Sequence, residues 1–198
     1  MKRTITILAG LLASCVLAAP AFAHPGAGHL HGFVSGFLHP VSGVDHVLTM
    51  VAVGLFAAHL GGRALWLVPA TFVALMTAGA IVGMNGAEIP FIETGVAASV
   101  VVLGLTIALR TALPVVAATS LVGVFAVFHG QAHGLETPAG ALAFTYALGF
   151  VTATASLHLV GVGAGVALSK AGASISLRAA QLSGGAMAAT GAFLLAGV

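Results

Sequence analysis

Two short runs concentrate most of the side chains able to do chemistry. The first, His39-Pro40-Val41-Ser42-Gly43-Val44-Asp45-His46, offers two imidazoles and a carboxylate. The second, His129-Gly130-Gln131-Ala132-His133-Gly134-Leu135-Glu136, offers the same set in another order. Imidazole is uncharged at neutral pH and binds borderline divalent metals well, while a carboxylate supplies the charge that a cation needs. In the second run, histidines at i and i+4 with an acid at i+7 fall along one helical face, where several ligands can converge on one ion. The competing reading is a water-exposed turn in which Gly130 and Gly134 have already ended the helix. Metalloprotease chemistry is disfavoured, because its motif needs Glu directly after the first His and Gly130 stands there.

The first run poses a geometric problem. On a straight helix His39 and His46 would share a face but stand about 10 Å apart along the axis. Pro40 and Gly43 between them predict a kink or a briefly unwound stretch, which could bring both rings and the Asp45 carboxylate toward one ion. Met50 lies four residues past His46 and reads either as a thioether ligand or, preferably, as a soft packing group.

Further histidines are candidates of a second rank. His158 follows Thr152, Thr154 and Ser156, and reads equally as a ligand or as a hydrogen-bonded interhelical histidine. His59, beside Gly61, Gly62 and Arg63, reads as an interface residue. Glu88 and Glu93 read as solvated loop acids that would also attract cations. His24, His29 and His31 sit in a Gly- and Pro-containing stretch without helical period, read either as a metal-attracting outer segment or as a tail with incidental histidines.

The elements that must position these groups are membrane spans. The chain is 60% hydrophobic and only 5% charged, where soluble proteins carry about 25% charged residues. Its mean hydropathy is +1.16, so the expected solvent is a lipid bilayer. Six apolar segments, 33–60, 64–84, 91–109, 112–128, 139–159 with an extension to 168, and 177–197, each approach the ~20 residues needed to cross a bilayer as a helix. The expectation is an all-α integral membrane protein, a bundle of six transmembrane helices after a cleaved signal peptide. Gly79-Ala-Ile-Val-Gly83 and Gly161-Val-Gly-Ala-Gly165 have the spacing of close helix packing; the second lacks the preceding strand and spacing of a nucleotide loop. The net charge of +2 comes from scattered basic residues, which excludes a nucleic-acid footprint.

The ends and loops set an orientation. Lys2 and Arg3, an apolar run and Ala21-Phe22-Ala23 form a secretory signal over residues 1–23. Cleavage there would make His24 the terminus, with its amine and ring as a chelating pair, ahead of a His-rich outer segment, 24–32. Leu12-Ala13-Ser14-Cys15 is a competing lipoprotein cleavage box; under the favoured cleavage the single cysteine is lost and thiolate ligation with it. Arg63, Arg110, Lys170 and Arg178 mark the odd loops as cytoplasmic, which places both termini of the domain 33–198 in the periplasm. By rise per residue, His129 and Glu136 are expected at the outer surface, Asp45 and His46 at mid-membrane, and His158 near the inner face. A ladder of weak sites of this kind is what permeation requires.

The two runs, with the His24-Pro25 start and six spans, resemble the HupE/UreJ family of nickel/cobalt permeases across the whole mature chain. The resemblance implies secondary uptake of Ni²⁺ or Co²⁺ across the bacterial inner membrane, and points to His39, Asp45, His46, His129, His133 and Glu136 as functional. Its expected partners are a divalent transition-metal ion, carried rather than kept as a permanent cofactor, and the lipid bilayer. Three rivals stand beside it. An intramembrane hydrolase is disfavoured, since no G-x-S-x-G occurs and the Ser156 and His158 pair has no orienting acid; a haem-, quinone- or metal-binding subunit that does not transport and a metal sensor are the others.

Overall fold

The computed structural model describes residues 32–137 and 142–197. The expected signal peptide and His24, His29 and His31 lie outside the described residues. Within them the chain is all helical: α1 (Gly32–Ser42), α2 (Val44–Leu60), α3 (Ala64–Met84), α4 (Ile92–Ala108), α5 (Val115–Leu135), α6 (Leu142–Lys170) and α7 (Ala173–Leu195). Every expected apolar segment lies on this helical framework, but the first is two helices rather than one. Helices α1 and α2 meet at an angle of 83°.

The break has local causes. Pro40 inside α1 has no N–H to continue the ladder, and the Ser42 hydroxyl donates to the His39 carbonyl at 2.7 Å, closing the helix end. Gly43 is extended (φ −92°, ψ 122°) and its carbonyl accepts the Val47 N–H at 3.0 Å, starting α2. A Cβ on Gly43 would come within 2.9 Å of Asp45 Oδ1 and 3.1 Å of His46 Nδ1. A methyl there would have to displace these two side chains.

Length and composition qualify Ala64–Met84, Val115–Leu135 and Ala143–Lys170 as membrane spans, with the bent pair as a fourth. Of the six expected spans, three, or four with the bent pair, meet that measure among the described residues. Helix α4 is apolar but only 17 residues long, and α7 has 23 residues whose hydropathy is diluted by Arg178, Gln181 and several Ser and Gly. Large apolar side chains such as Trp66, Phe144 and Phe193 point outward, as expected of a surface solvated by lipid rather than water.

Small residues set the helix pairs. Gly79 and Gly83 of α3 press on the backbones of Val127 and Gln131, while Gly130 and Gly134 of α5 press on Met76 and Ala80. These contacts run in the same order along both helices, so α3 and α5 are parallel and closely joined. Helices α2 and α6 meet through Gly54 and Gly161, α4 and α7 through Gly104 and Gly184, and α1 crosses α6 where Gly36 and Gly149 meet. The two expected packing motifs therefore act as packing motifs, except that Gly163 faces open space. Met50, Phe56, Phe72, Met76 and Phe150 form the buried core, which puts Met50 among packing residues.

Candidate metal-binding cluster

The two runs face each other. The His46 ring stands edge-on to His129 at 4.8 Å and to His133 at 4.7 Å, centroid to centroid. His39 reaches the same group from α1, its ring 5.0 Å from His133 and its Nε2 2.6 Å from the Glu136 carboxylate. The separate outer and mid-membrane levels expected for His129 and Asp45-His46 are thus a single cluster. The cause is the break at Gly43, which lets both parts of the first run face the end of α5. That helix continues through Gly130 and Gly134 as far as Leu135, so these glycines fasten it to α3 and do not end it. His129 and His133 are fully buried, which removes the exposed-turn reading.

Hydrogen bonds orient two of these rings. Asp45 Oδ1 accepts the His46 backbone N–H and lies 2.8 Å from His46 Nδ1. That partner places the ring proton on Nδ1 and leaves the Nε2 lone pair available. Ser99 Oγ donates its proton to the Val96 carbonyl at 2.6 Å, so toward His129 Nε2 at 2.9 Å it acts as acceptor. His129 then carries its proton on Nε2 and presents Nδ1 as a donor pair. Thr49 Oγ1 supports Ser99 at 2.8 Å. Neither Ser99 nor Thr49 stands out in the sequence, since single hydroxyls in apolar helices usually bond their own backbone.

Among the described residues, the buried side-chain N and O atoms without a hydrogen-bond partner all belong to His46, His129, His133, Tyr146 and His158. Such an atom costs roughly 1–3 kcal/mol, so each needs a water, ion or other partner that the described residues do not supply. His133 has neither nitrogen satisfied and stacks on Phe150 at 5.2 Å. Among the described residues no three His, Cys, Asp or Glu side chains already enclose a common point. The imidazoles form a connected string, and gathering them on one ion requires rotamer changes.

At the C-terminal end of α5, Glu136 caps the helix and lines a recess of about 740 Å³ together with Glu88 and Glu93. The hydrogen bond from His39 holds the Glu136 carboxyl below its usual range, against the opposing effect of partial burial. Gln131, missed in the sequence, accepts the Ile89 N–H at 3.1 Å and donates to the Ala87 carbonyl at 2.9 Å. It ties the loop that carries Glu88 to the helix that carries the histidines. Its position between His129 and His133 was the available signal.

His158 lies deeper, 1% exposed, with Phe72 edge-on at 5.2 Å. The same Phe72 ring packs on His129 at 5.7 Å, separating His158 from the cluster. Of the expected polar company only Thr154 shares its face; Thr152 and Ser156 donate to their own helix, to the carbonyls of Leu148 and Thr152, at 2.7 Å each. His59 lines a small recess with Arg110 and Ser176 at the opposite end of the molecule.

A multi-pass helical membrane protein with buried imidazoles beside two carboxylates is the class that this fold and site define. The chain belongs to the HupE/UreJ family: it matches the family described as HupE / UreJ protein over residues 12–194. Protein HupE of Rhizobium leguminosarum bv. viciae is 44% identical over 183 residues, covering 91% of this chain and 94% of that protein. No solved structure matches the chain. The family is one of permeases associated with nickel and cobalt uptake, and not of enzymes.

Proposed function

We propose that this protein is a secondary transporter carrying Ni²⁺ or Co²⁺ inward across the bacterial inner membrane. His39, Asp45, His46, His129, His133 and Glu136 form its main metal site, with His24 at the outer terminus after signal cleavage and His158 on the inner side. The full chain then makes six crossings, the bent pair and the shorter α4 included, with both termini periplasmic. The observation that carries the reading is the meeting of imidazoles from α2 and α5, each with at least one buried ring nitrogen that has no hydrogen-bond partner, beside two carboxylates. Asp45 and Glu136 together bring two negative charges, which balances a divalent cation removed from water.

The cation first meets the acidic recess, where Glu88, Glu93 and Glu136 raise its local concentration. It then replaces His39 as the partner of Glu136, and the released His39 ring and the free Nε2 of His46 become ligands in turn. Exchanging one ligand at a time keeps each step shallow, so the ion is held enough to enter and loosely enough to leave.

The test is accumulation of ⁶³Ni or ⁵⁷Co in proteoliposomes. Asp45→Ala and His46→Ala are expected to abolish it while the protein still inserts; normal accumulation in either variant would sink the assignment. A non-transporting haem subunit is the second reading. It is opposed by the edge-to-face contact of the imidazoles, which leaves no slot between them for a planar macrocycle. Strong visible absorption by the purified protein would favour haem instead.

A further inference from the structure

Beneath the charged cluster lies a second group of metal donors, all of them neutral. Phe72 and Met76 sit one turn apart on α3, as do Thr154 and His158 on α6, so each pair shares a helical face. The two faces meet: Phe72 stands 5.2 Å from the His158 ring, and Thr154 Oγ1 donates to Met76 Sδ at 3.7 Å. An imidazole, a thioether and a hydroxyl thereby occupy one patch between α3 and α6, at 1%, 0% and 0% exposure. Neither nitrogen of His158 has a hydrogen-bond partner. A histidine placed there only for packing would leave two polar atoms unsatisfied in an apolar interior, a cost that a phenylalanine would avoid.

We propose that His158 and Met76, with the Thr154 hydroxyl as third donor, form an inner binding site for the transported transition-metal ion, separated from the outer cluster by the Phe72 ring. The proposal rests on the reading of the chain as a metal carrier and adds a selection step to it. Thioether and imidazole suit soft and borderline ions, whereas Mg²⁺ and Ca²⁺ demand oxygen ligands. The outer site joins charge to imidazole and so gathers borderline divalent cations; the inner one, without charge, discriminates further by softness. Lacking a carboxylate, it leaves the charge of the ion uncompensated, so occupancy is brief and release toward the cytoplasm is favoured.

Nickel K-edge X-ray absorption of the purified, Ni²⁺-saturated full chain tests this in a Cys15→Ser background, where methionine is the only remaining source of sulfur. A sulfur neighbour of nickel is expected in the Cys15→Ser parent and is expected to vanish in Met76→Leu, a swap that nearly conserves volume. His158→Ala is expected to lose the weaker class of bound nickel in equilibrium dialysis and to keep the tighter one. Uptake by Met76→Leu should fall on the order of tenfold. No sulfur neighbour in the parent, or one that persists in Met76→Leu, overturns the inner site. The two readings fail separately: a parent that binds nickel through sulfur but carries no ⁶³Ni overturns the permease, while one that transports without a sulfur neighbour overturns only the inner site.

Discussion

The two halves of the cluster are built in opposite ways. His129 and His133 stand on an unbroken helix, α5, whose glycines press directly on the backbone of α3. His39, Asp45 and His46 stand on a helix broken at Gly43, and the His39 and Asp45 side chains keep 32% and 25% of their exposure. One half is a fixed template and the other is adjustable. A permease needs both, since a site that is rigid throughout holds its ion and one that is loose throughout never gathers ligands.

That contrast can be broken from either side. Gly130→Val should have the largest effect, because its Cβ would run into the Met76 backbone and separate α3 from α5. A loss of about 3 kcal/mol is expected, seen as a lowered unfolding temperature in detergent together with lost uptake. Gly43→Ala strikes the adjustable half, where the added methyl meets the Asp45 and His46 side chains. Nickel affinity should fall roughly 10- to 100-fold, as when the groups that orient a ligand are lost, with the unfolding temperature nearly unchanged. An equal drop in stability for both variants would erase the distinction. Ser99→Ala removes the partner of His129 Nε2 and of Thr49 Oγ1, and calorimetric titration should show about a tenfold weaker site.

The smallest effect concerns pH. Protons compete with metal for imidazole, so uptake should decline as the outer pH falls from about 7.5 to about 5. Glu136 stays ionised over that window, because its carboxyl already lies below the usual 4.5. A carboxyl lowered by folding contributes its stabilisation above its unfolded value and loses it only on acidification through the folded one. Glu136→Gln should therefore scale the uptake profile down without moving its midpoint; a shifted midpoint would make Glu136 the titrating group.

Much of the site was legible because its signals are local. Pro40 and Gly43 announced the break, and the spacing of His129, His133 and Glu136 announced a shared face. That the two runs meet was not legible, since it depends on helices far apart in sequence and on an angle that no hydropathy window registers. The window over 33–60 averaged across the break and returned one span. The company of His158 was misread for a different reason. Thr152 and Ser156 stand six and two residues before it, on other sides of a helix, and only Thr154 at i−4 shares its face. Ser99 and Thr49 carry no mark that separates an orienting hydroxyl from an ordinary one.

Gln131 has a further consequence. Its amide ties the 87–89 backbone to the turn between His129 and His133, so the acidic rim and the fixed histidines move as one body. On the proposed route, a His39 that leaves Glu136 would move against a rim held to α5, so the metal would be admitted from the side of α1, with α1 as the leaf and α5 as the frame.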